Sequence, residues 1–263
     1  MLAPNFSPSI LKFDELASTN LKMKELVIDG LAEGSVVTAL QQTHGKGRGS
    51  HLWHSPLGGL YSSVLLYPKE SKRATDLALL AGLAVAQAVK QLLPKSVDIT
   101  VKWPNDTLIN FKKVSGVLLE ALGERHQYAV IVGMGININI NPKELVAFQQ
   151  RPFGATSFIA ETGEGDYEID QCLSVVLQKL FALYQIYHTQ GFGPIQYLWE
   201  KNCLFIGKQV ELRESGWRPE DGNRAGMTRG SMLGIDETGA LVLSNAKGER
   251  RQYTTGEITC YWP

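Results

Sequence analysis

Apolar residues recur along the first two thirds of the chain with the two spacings that distinguish helices from strands. Residues 73–94 read RATDLALLAGLAVAQAVKQLLP and are apolar on nearly all sides, which predicts a helix buried against a sheet. Ahead of it, Ser18 or Thr19 is expected to cap a helix that ends near Asp29. Short apolar runs predict strands within SVVTALQQ, GLYSSVLLYP, DITVKWPND, GVLLEALGE and YAVIVGMGININI. Strands interleaved with helices predict an α/β (α+β) fold with a mixed central sheet flanked by helices.

The pattern changes near Gly207. A long amphipathic helix in YEIDQCLSVVLQKLFALYQIYHTQGF is predicted to end near Gly191, ahead of this change. Short strands separated by Gly, Asp and Asn turns follow it: KQVELRE, RGSMLGID, ALVLSNA and RRQYTTGEITCYW. This small β barrel or sandwich of about 55 residues is expected to lean on the rest of the chain, because few cores of that size are stable alone. We therefore predict a catalytic domain over 1–203 and a small C-terminal β domain over 204–263.

Composition excludes several classes of function. The 263 residues carry 26 Lys and Arg against 26 Asp and Glu, so no global field favours nucleic acid or an anionic membrane. No secretory signal and no apolar run long enough to cross a membrane is visible, and we expect a cytoplasmic protein. Three widely spaced cysteines argue against a disulfide framework and are expected in the core. No metal site is predicted, since His44, His51 and His54 share a loop that has no cysteine or carboxylate.

A glycine-rich basic stretch, QTHGKGRGSHLWHSP, occupies residues 42–56. Its lysine follows the first glycine, so it does not have the spacing of a Walker A loop, G-x-x-x-x-G-K-(S/T). The later GMGINI lacks the third glycine of a dinucleotide-binding turn and stays strand-like. Backbone N–H groups of Gly45, Gly47 and Gly49, with Lys46 and Arg48 between them, nevertheless form a workable cradle for a polyanion. An ordinary flexible surface loop is the alternative.

A second polar constellation lies in KWPNDTLINFKKVSGVLLE. It brings Lys102, Asn105, Asp106, Lys112 and Lys113 to the ends of two predicted adjacent strands, with the two later lysines in a basic turn, NFKKVS. Sites in α/β sheets are usually built at such strand ends. Taken alone, each of these residues is better explained as a solvated lysine or as part of a simple turn. Next to the glycine-rich loop, the group favours a binding site.

These stretches resemble the signatures of the biotin-protein ligases. QTHGKGRGSHLWHSPLGGLYSS is similar to the family's Q-T-x-G-R-G-R-x-G-R-x-W-x-S-P-x-G-x-L-Y-x-S, and KWPNDTLINFKKVSGVLLE to its K-W-P-N-D followed by K-x-x-G-(I/V)-L-x-E. VGMGINI resembles the third signature, and STN at 18–20 matches the N-terminal tripeptide of the family's biotin site. The four matches occur in the family's order and span residues 18–139. The resemblance implies the monofunctional type, with a catalytic domain like that of class II aminoacyl-tRNA synthetases and a small SH3-like β barrel.

The resemblance also implies a two-step reaction. Biotin and MgATP form biotinyl-5′-AMP, and a lysine of a biotin carboxyl carrier protein domain, as in acetyl-CoA carboxylase, then attacks this mixed anhydride. ATP and Mg²⁺ are the expected cofactors, and biotin is a substrate. Cations must offset the repulsion between the biotin carboxylate and the α-phosphate. A glycine-rich loop that closes over the intermediate would protect it from water.

The family's functional residues transfer onto matching positions here. The expected catalytic residues are Lys113, Arg48 and Asp106. The expected biotin contacts are Ser18, Thr19, Asn20, Gln42, Gly45, Arg48, Lys113 and Gly116. The expected ATP contacts are Lys46, Gly47, Arg48, Trp53, Asn105 and Asn137. Alternatively, Asn137 and Asn139 satisfy buried backbone groups at a strand end. The resemblance also implies an aromatic residue that stacks on adenine, for which Phe148, Phe153 and Phe158 are the candidates.

Three positions depart from the family pattern and two other functions compete. Lys46 and His51 replace arginines and Ser50 replaces a glycine, so the loop carries less permanent positive charge. A biotin-responsive DNA-binding repressor would need roughly 60 residues ahead of the STN tripeptide, and 17 are present. A lipoate ligase would carry R-R-x-S-G-G-G and H-D at the glycine loop, and neither stretch occurs. The carrier's identity and a homodimer are left open.

Overall fold

The computed structural model describes residues 8–49, 51–68, 74–123, 128–148, 153–163, 165–213 and 227–260. The helices are α1 (Thr19–Ile28), α2 (Ala74–Leu92), α3 (Phe158–Thr162), α4 (Ile169–Gln190) and α5 (Gly193–Lys201), with a 3₁₀ helix over Pro142–Phe148. The strands are β1 (Ile10–Leu16), β2 (Val36–Gln42), β3 (Gly59–Leu66), β4 (Ile99–Lys102), β5 (Asp106–Ile109), β6 (Lys112–Leu122), β7 (Ala129–Asn137), β8 (Gln209–Arg213), β9 (Met227–Ile235), β10 (Leu241–Ser244), β11 (Arg250–Tyr253) and β12 (Glu257–Cys260).

A seven-stranded sheet forms the centre, in the order β1-β2-β3-β7-β6-β5-β4. Strand β1 runs parallel to β2, and each of the other neighbouring pairs in this order is antiparallel. The predicted mixed sheet is therefore confirmed. Residues alternate between its two faces because successive side chains of a strand point in opposite directions. Val64 and Val132 belong to a large core on the face covered by α2, α4 and α5, whereas Leu65 and Ile131 pack against Met23 of α1.

The C-terminal strands form a second, antiparallel sheet in the order β11-β10-β9-β8-β12. This confirms the predicted small β region, in which RRQYTTGEITCYW supplies two strands, β11 and β12. The sheet packs on the rest of the chain, since Trp103 donates from Nε1 to Gly239 O at 3.1 Å and Gln196 donates to Ile235 O at 2.6 Å. The division at 203 and 204 stays a prediction, and the last residues, 261–263, lie outside the described ranges.

The structure differs from the sequence-based prediction around Pro104 and at the N-terminus. Strand β1 was not predicted, because the apolar residues of ILKFDEL, at positions 10, 11, 13 and 16, do not alternate regularly with polar ones. The chain after Pro104 does not remain a turn: Asp106–Ile109 forms β5. Lys112 and Lys113 therefore begin strand β6, and their predicted place in a basic turn is wrong. The turn is shorter and consists of Asn110 and Phe111, whose φ values of 47° and 61° suit a two-residue hairpin.

Other predicted features agree with the structure. Ser18 occupies the N-cap position of α1, although its side chain makes no capping hydrogen bond. Cys172 and Cys203 are buried, as expected, and the side chain of Cys260 lies outside the described residues. The predicted helix from Arg73 begins at Ala74 in the described part of the chain. Within the described ranges no helix has both the length and the apolarity needed to cross a bilayer.

Candidate active site

A cavity of about 810 Å³ opens beside α1, on the face of the central sheet that this helix partly covers. Its walls come from α1, the glycine-rich loop, the strands β4 to β7, the 3₁₀ helix and the C-terminal sheet. The predicted site residues that line it are Ser18, Thr19, Asn20, Gln42, Lys46, Gly47, Arg48, Trp53, Asn105, Asp106, Lys113, Gly116 and Asn137. The structure thus brings every predicted site residue except Gly45 into one cavity.

Gly45 lies behind the cavity wall. A Cβ atom there would come within 2.5 Å of Ser55 Oγ and 3.1 Å of Gln42 Nε2, and its own carbonyl accepts a hydrogen bond from Trp53 N. The glycine therefore lets the loop pass close to Gln42. Beyond it the loop folds back as a small hairpin, in which Gly47 N donates to His51 O at 2.8 Å. Ser50, one of the departures from the family pattern, lies outside the described residues.

The floor of the cavity consists of glycines on neighbouring strands. Gly116 of β6 pairs with Gly135 of β7, and Gly133 lies two residues before Gly135 on the same face. A Cβ at Gly116 would come within 3.2 Å of the Trp53 ring, and a Cβ at Gly135 would overlap that ring. A Cβ at Gly133 would overlap the Asn20 amide. Because these glycines have no side chains, this face of the sheet leaves a space, which Trp53 and Asn20 partly fill.

One end of the cavity, which we call the amide end, is lined by Thr19, Asn20 and Gln42, with Ser63 and Glu120 hydrogen-bonded behind them. Gln42 Oε1 accepts from the Thr19 backbone N–H at 2.8 Å, and Ser63 Oγ lies 2.8 Å from Thr19 Oγ1 and 2.6 Å from Asn20 Oδ1. The Asn20 amide donates to Glu120 Oε2 at 2.8 Å. Thr19, Asn20 and Ser63 are almost fully buried, so the network is held in place before any ligand arrives.

A β-bulge sets the position of Lys113. Thr107 pairs with Ser115, but the next residue of β5, Leu108, pairs with Lys113, so Val114 is the extra residue. In a regular strand two residues three apart face opposite ways, whereas the bulge turns Lys113 and Gly116 to the same side. The Lys113 side chain accordingly reaches within 3.4 Å of where a Gly116 Cβ would stand. The bulge therefore makes the K-x-x-G spacing compatible with one shared cavity.

The other end of the cavity, the charged end, consists of Lys102, Asp106, Lys113, Arg48 and Glu257. Asp106 is almost fully buried and lies between two lysines, 2.9 Å from Lys102 Nζ and 2.7 Å from Lys113 Nζ. Lys102 is also 3.3 Å from Glu257 of β12. Burial by itself would raise the pKa of Asp106, but the two lysines outweigh it and lower the pKa to about 2. This carboxylate is therefore ionised at neutral pH and is a weak base.

Arg48 joins the glycine-rich hairpin to the C-terminal sheet. Its Nη1 donates to Gly256 O at 3.2 Å, next to Glu257. Burial lowers the pKa of Arg48, and the charges of Asp106 and Glu257 act in the opposite direction. An arginine keeps its charge despite such a decrease. The charged end thus has three cations against two carboxylates, which favours an anionic ligand.

The two asparagines among the remaining predicted contacts donate hydrogen bonds within the protein. Asn105 donates to Val117 O. Asn137 donates to Thr156 O at 2.9 Å, as the alternative prediction of a partner for a buried backbone group requires. It also lines the cavity. Asn139 exchanges two hydrogen bonds with the Tyr167 backbone and lies away from the cavity. Asn137 is therefore the better candidate of the two strand-end asparagines for a ligand contact.

Of the three candidate aromatics, Phe148 alone lines the cavity within the described ranges. It ends the 3₁₀ helix, and its ring lies 5.4 Å from the ring of His54. Phe158 is buried in the core, and Phe153 packs edge-on against Phe205. No group of three or more His, Cys, Asp or Glu side chains suited to a metal ion is found in the part of the chain that the structure describes.

Comparison with known proteins places this geometry in a family. Residues 11–137 match the model of the Biotin/lipoate A/B protein ligase family. The Bifunctional ligase/repressor BirA of Bacillus subtilis (strain 168) is 36% identical over 250 residues, which are 93% of this chain and 72% of BirA. The chain belongs to the biotin/lipoate A/B protein ligase family. The Paracoccus denitrificans protein named Biotin--[acetyl-CoA-carboxylase] ligase is 31% identical over 237 residues, 89% of this chain and 93% of that protein.

Solved structures agree with this assignment. The structure titled "Biotin protein ligase from Aquifex aeolicus in complex with biotin and ATP" is similar over 98% of this chain and 100% of its own, with a TM-score of 0.78 and 28% identity. The central sheet, the flanking helices and the small C-terminal sheet are thus the architecture of biotin protein ligases.

Several residues that line this ligase cavity were not among the predicted site residues. Lys102 belongs to the second signature and was noticed, but its burial beside Asp106 could not be read from the sequence. Gly133 and Gly135 could have been found as alternate glycines of one strand, which leave one face of a sheet empty. Gly256 and Glu257 come from the C-terminal sheet, and no local pattern connects them with a site more than 100 residues away.

Proposed function

We propose that this chain activates biotin with ATP as biotinyl-5′-AMP and transfers the biotinyl group to a lysine of a biotin carboxyl carrier protein domain. The observation that carries the proposal is one cavity whose amide end has a neutral, hydrogen-bonded lining and whose charged end carries an excess of cations. A cyclic urea needs fixed donors and acceptors without charge, and a triphosphate needs cations. The names of the relatives and the biotin and ATP in the Aquifex aeolicus complex support this division.

In the first step, a carboxylate oxygen of biotin attacks the α-phosphorus of ATP, and the bond from that phosphorus to the pyrophosphate oxygen breaks. Lys113 extends from the glycine floor between the two ends, so its ammonium is placed to offset the charge of both anions. When phosphates arrive, they replace Asp106 as its partner. Arg48 and Lys46 approach the phosphates from the hairpin, with Gly47 allowing close contact.

In the second step, the amine nitrogen of the carrier lysine attacks the acyl carbon, and the bond from that carbon to the AMP oxygen breaks. Asp106 has a pKa of about 2, so it does not take the proton from the incoming ammonium. We assign it an electrostatic role, in which it stays paired with Lys102, releases Lys113 to the phosphates and attracts the carrier's ammonium ion. The proton leaves to solvent or to the departing AMP phosphate.

The nucleotide contacts follow from the same arrangement. Asn105, Asn137 and Trp53 line the part of the cavity next to Lys113, and Phe148 stands at its wall as the aromatic surface for adenine. Mg²⁺ is expected to enter as part of MgATP. The carboxylates that line the described cavity, Asp106 and Glu257, are both paired with Lys102, so we assign the ion to the phosphates of the substrate and not to a protein cage.

Partner and location remain proposals of the same kind. The relative from Paracoccus denitrificans is named for acetyl-CoA carboxylase, which makes the carrier domain of such a carboxylase the expected partner. We propose a cytoplasmic enzyme, and sedimentation at several concentrations would test whether it dimerises. The name of the Bacillus subtilis relative includes the word repressor, so a gel-shift assay with biotin and ATP present would test whether this chain binds DNA.

The experiment for the activity itself compares two acids. Purified protein is incubated with α-³²P-ATP and either biotin or lipoate, and the acyl-adenylate is separated by thin-layer chromatography. Formation of biotinyl-AMP, and of a labelled carrier when its domain is added, is expected. Lipoyl-AMP in place of biotinyl-AMP would refute the proposal in favour of the lipoate ligases of the same family.

A further inference from the structure

Glu120 ends the second signature as the last letter of GVLLE, and the proposed reaction gives it no task. It lies on β6 across from Ile131, on the α1 face of the sheet, about four residues beyond the glycine floor. Its Oε2 accepts from Asn20 Nδ2 at 2.8 Å, and its Oε1 lies 2.5 Å from Lys24 Nζ. The carboxylate is therefore shared between the amide end of the cavity and a partly exposed lysine of α1.

A carboxylate in this position fixes the orientation of the Asn20 amide. An ionised carboxylate accepts hydrogen bonds and donates none, so the Asn20 nitrogen must face Glu120 and its oxygen must face Ser63. Burial opposes the charge on Glu120, but the hydrogen bonds from Lys24 and Asn20 and the charges of Lys24 and Lys46 lower its pKa, which keeps it ionised. Leu118 O, at 3.5 Å from the same nitrogen, is too distant to hold the amide alone.

The orientation of Asn20 sets the direction of every hydrogen bond behind it. Ser63 has a single hydroxyl hydrogen, and Asn20 Oδ1 can only accept, so Ser63 donates to Asn20 over the 2.6 Å contact. Thr19 must then donate in its 2.8 Å contact with Ser63. The hydroxyl hydrogen of Thr19 is used inside the protein, and the lone pairs of Thr19 Oγ1 are left for a ligand N–H.

The opposite orientation would reverse this chain of hydrogen bonds. With the Asn20 nitrogen toward Ser63, the serine would donate to Thr19. The released Thr19 hydrogen would face Gln42 Oε1 at 3.2 Å, which is longer than a usual O–H···O hydrogen bond, so it could turn into the cavity instead. A ligand N–H would then meet a hydroxyl group whose hydrogen points into the cavity. Gln42 itself cannot rotate to compensate, because its Nε2 donates to Ser55 Oγ at 2.9 Å and its Oε1 holds the Thr19 backbone.

We infer that Glu120 is a positioning residue that makes the Thr19 hydroxyl an acceptor for one ureido N–H of biotin. It acts through Asn20 and Ser63, two contacts away from the ligand, and has no part in the chemistry. The inference rests on the proposed function, since it names the ligand group that the amide end receives. It predicts a loss of biotin affinity that depends on a single N–H group of the ligand.

The test measures biotin binding by calorimetry, without ATP, to wild type, Glu120→Leu and Glu120→Gln. Glu120→Leu should weaken biotin binding about tenfold, the usual effect of losing one hydrogen bond. Glu120→Gln should stay within about threefold, because its amide oxygen can still accept from Asn20. Lys24→Met is the matched control: it removes the other partner of the same carboxylate and should change affinity less than about twofold.

A second ligand series separates positioning from a general structural effect. Two carbamate analogues of biotin, in which one or the other ureido N–H is replaced by oxygen, remove a donor without adding bulk. For one of them, Glu120→Leu and wild type should bind with equal affinity. Equal losses for biotin and both analogues, or unchanged biotin affinity in Glu120→Leu, would overturn the positioning role while leaving the proposed function intact.

Ser63→Ala gives the same test if Glu120→Leu fails to fold. It interrupts the chain between Thr19 and Asn20 with the loss of one oxygen atom, and should reproduce the N–H-dependent loss. If both single variants fold, the double variant should lose no more than either, since the residues act in one chain. Additive losses would overturn the inference. A wild type that binds no biotin at all would overturn the proposed function, and this inference with it.

Discussion

The amide end and the charged end of the cavity differ in how their polar groups are satisfied before substrates arrive. At the amide end, neutral groups such as Thr19 and Gln42 hold one another in fixed directions, and the carboxylate behind them is also paired. At the charged end, Lys113 is paired with Asp106, a group that a phosphate must replace. Recognition of a neutral ring can therefore be built in advance, whereas binding of a triphosphate requires an exchange of partners.

From this difference between the two ends we expect the largest loss of adenylate formation in Lys113→Ala. The variant should lose about 100-fold or more in adenylate formation, the scale expected when a charge-stabilising group is removed, and change biotin affinity far less. Lys112→Ala is the matched control, because Lys112 precedes it on β6 but pairs with Glu161 outside the cavity. Single-turnover formation of ³²P-biotinyl-AMP measures the effect. Equal rates in the two variants would mean that another cation does this work.

The position of Lys113 also shows how far sequence alone could go. The family resemblance named this residue, and the apolar pattern predicted most strands and the long helices. The pattern could not show that Val114 bulges, because strand pairing across β5 and β6 sets that register. Nor could it show that Lys102 is buried or that Glu257 reaches the cavity, since both depend on how the C-terminal sheet packs. Local signals thus predicted the elements and the candidate residues, and long-range packing determined their partners.

A second, smaller effect concerns the ion pairs that Asp106 forms with Lys102 and Lys113. Asp106→Asn should lower the free energy of unfolding at pH 7 by about 2 kcal/mol, because two lysines lose their shared carboxylate. The folded-state pKa of Asp106, about 2, is below the unfolded value of about 3.9, so the stabilisation is complete above that range and is lost as pH falls toward 2.

Urea unfolding at several pH values measures this difference. The gap between Asp106→Asn and wild type should stay constant from pH 7 to pH 5 and narrow only below about pH 4. Glu120→Gln serves as a comparison at the amide end, where a neutral acceptor can replace the carboxylate. This variant should lose less free energy of unfolding than Asp106→Asn. A gap that already narrows between pH 7 and pH 5 would contradict the depressed pKa.

A third effect concerns retention of the intermediate. Arg48→Gly removes the contact between the glycine-rich hairpin and Gly256 O, so we expect ligand affinity to fall about tenfold and biotinyl-AMP to escape. A free acyl-adenylate reacts with exposed amines, so a streptavidin blot should show more biotin on added albumin than with wild type. Lys46→Gly is the matched control, because it removes one positive charge from the same hairpin and leaves the Arg48 contact in place. If it labels albumin equally, closure depends on charge and not on the Arg48 contact.

The smallest predicted effect is at the adenine surface, where the charged end meets an aromatic wall. Phe148→Leu keeps an apolar side chain but loses the flat ring, so KM for ATP should rise about three- to fivefold with biotin affinity unchanged. Phe158→Leu is the control, because that ring is buried against Tyr167 in the core and should lower the melting temperature without changing KM. Steady-state kinetics at saturating biotin measures the first effect and a thermal scan the second. If Phe148→Leu leaves KM unchanged, the stacking surface is Trp53, whose ring already lies on the glycine floor beside Lys113.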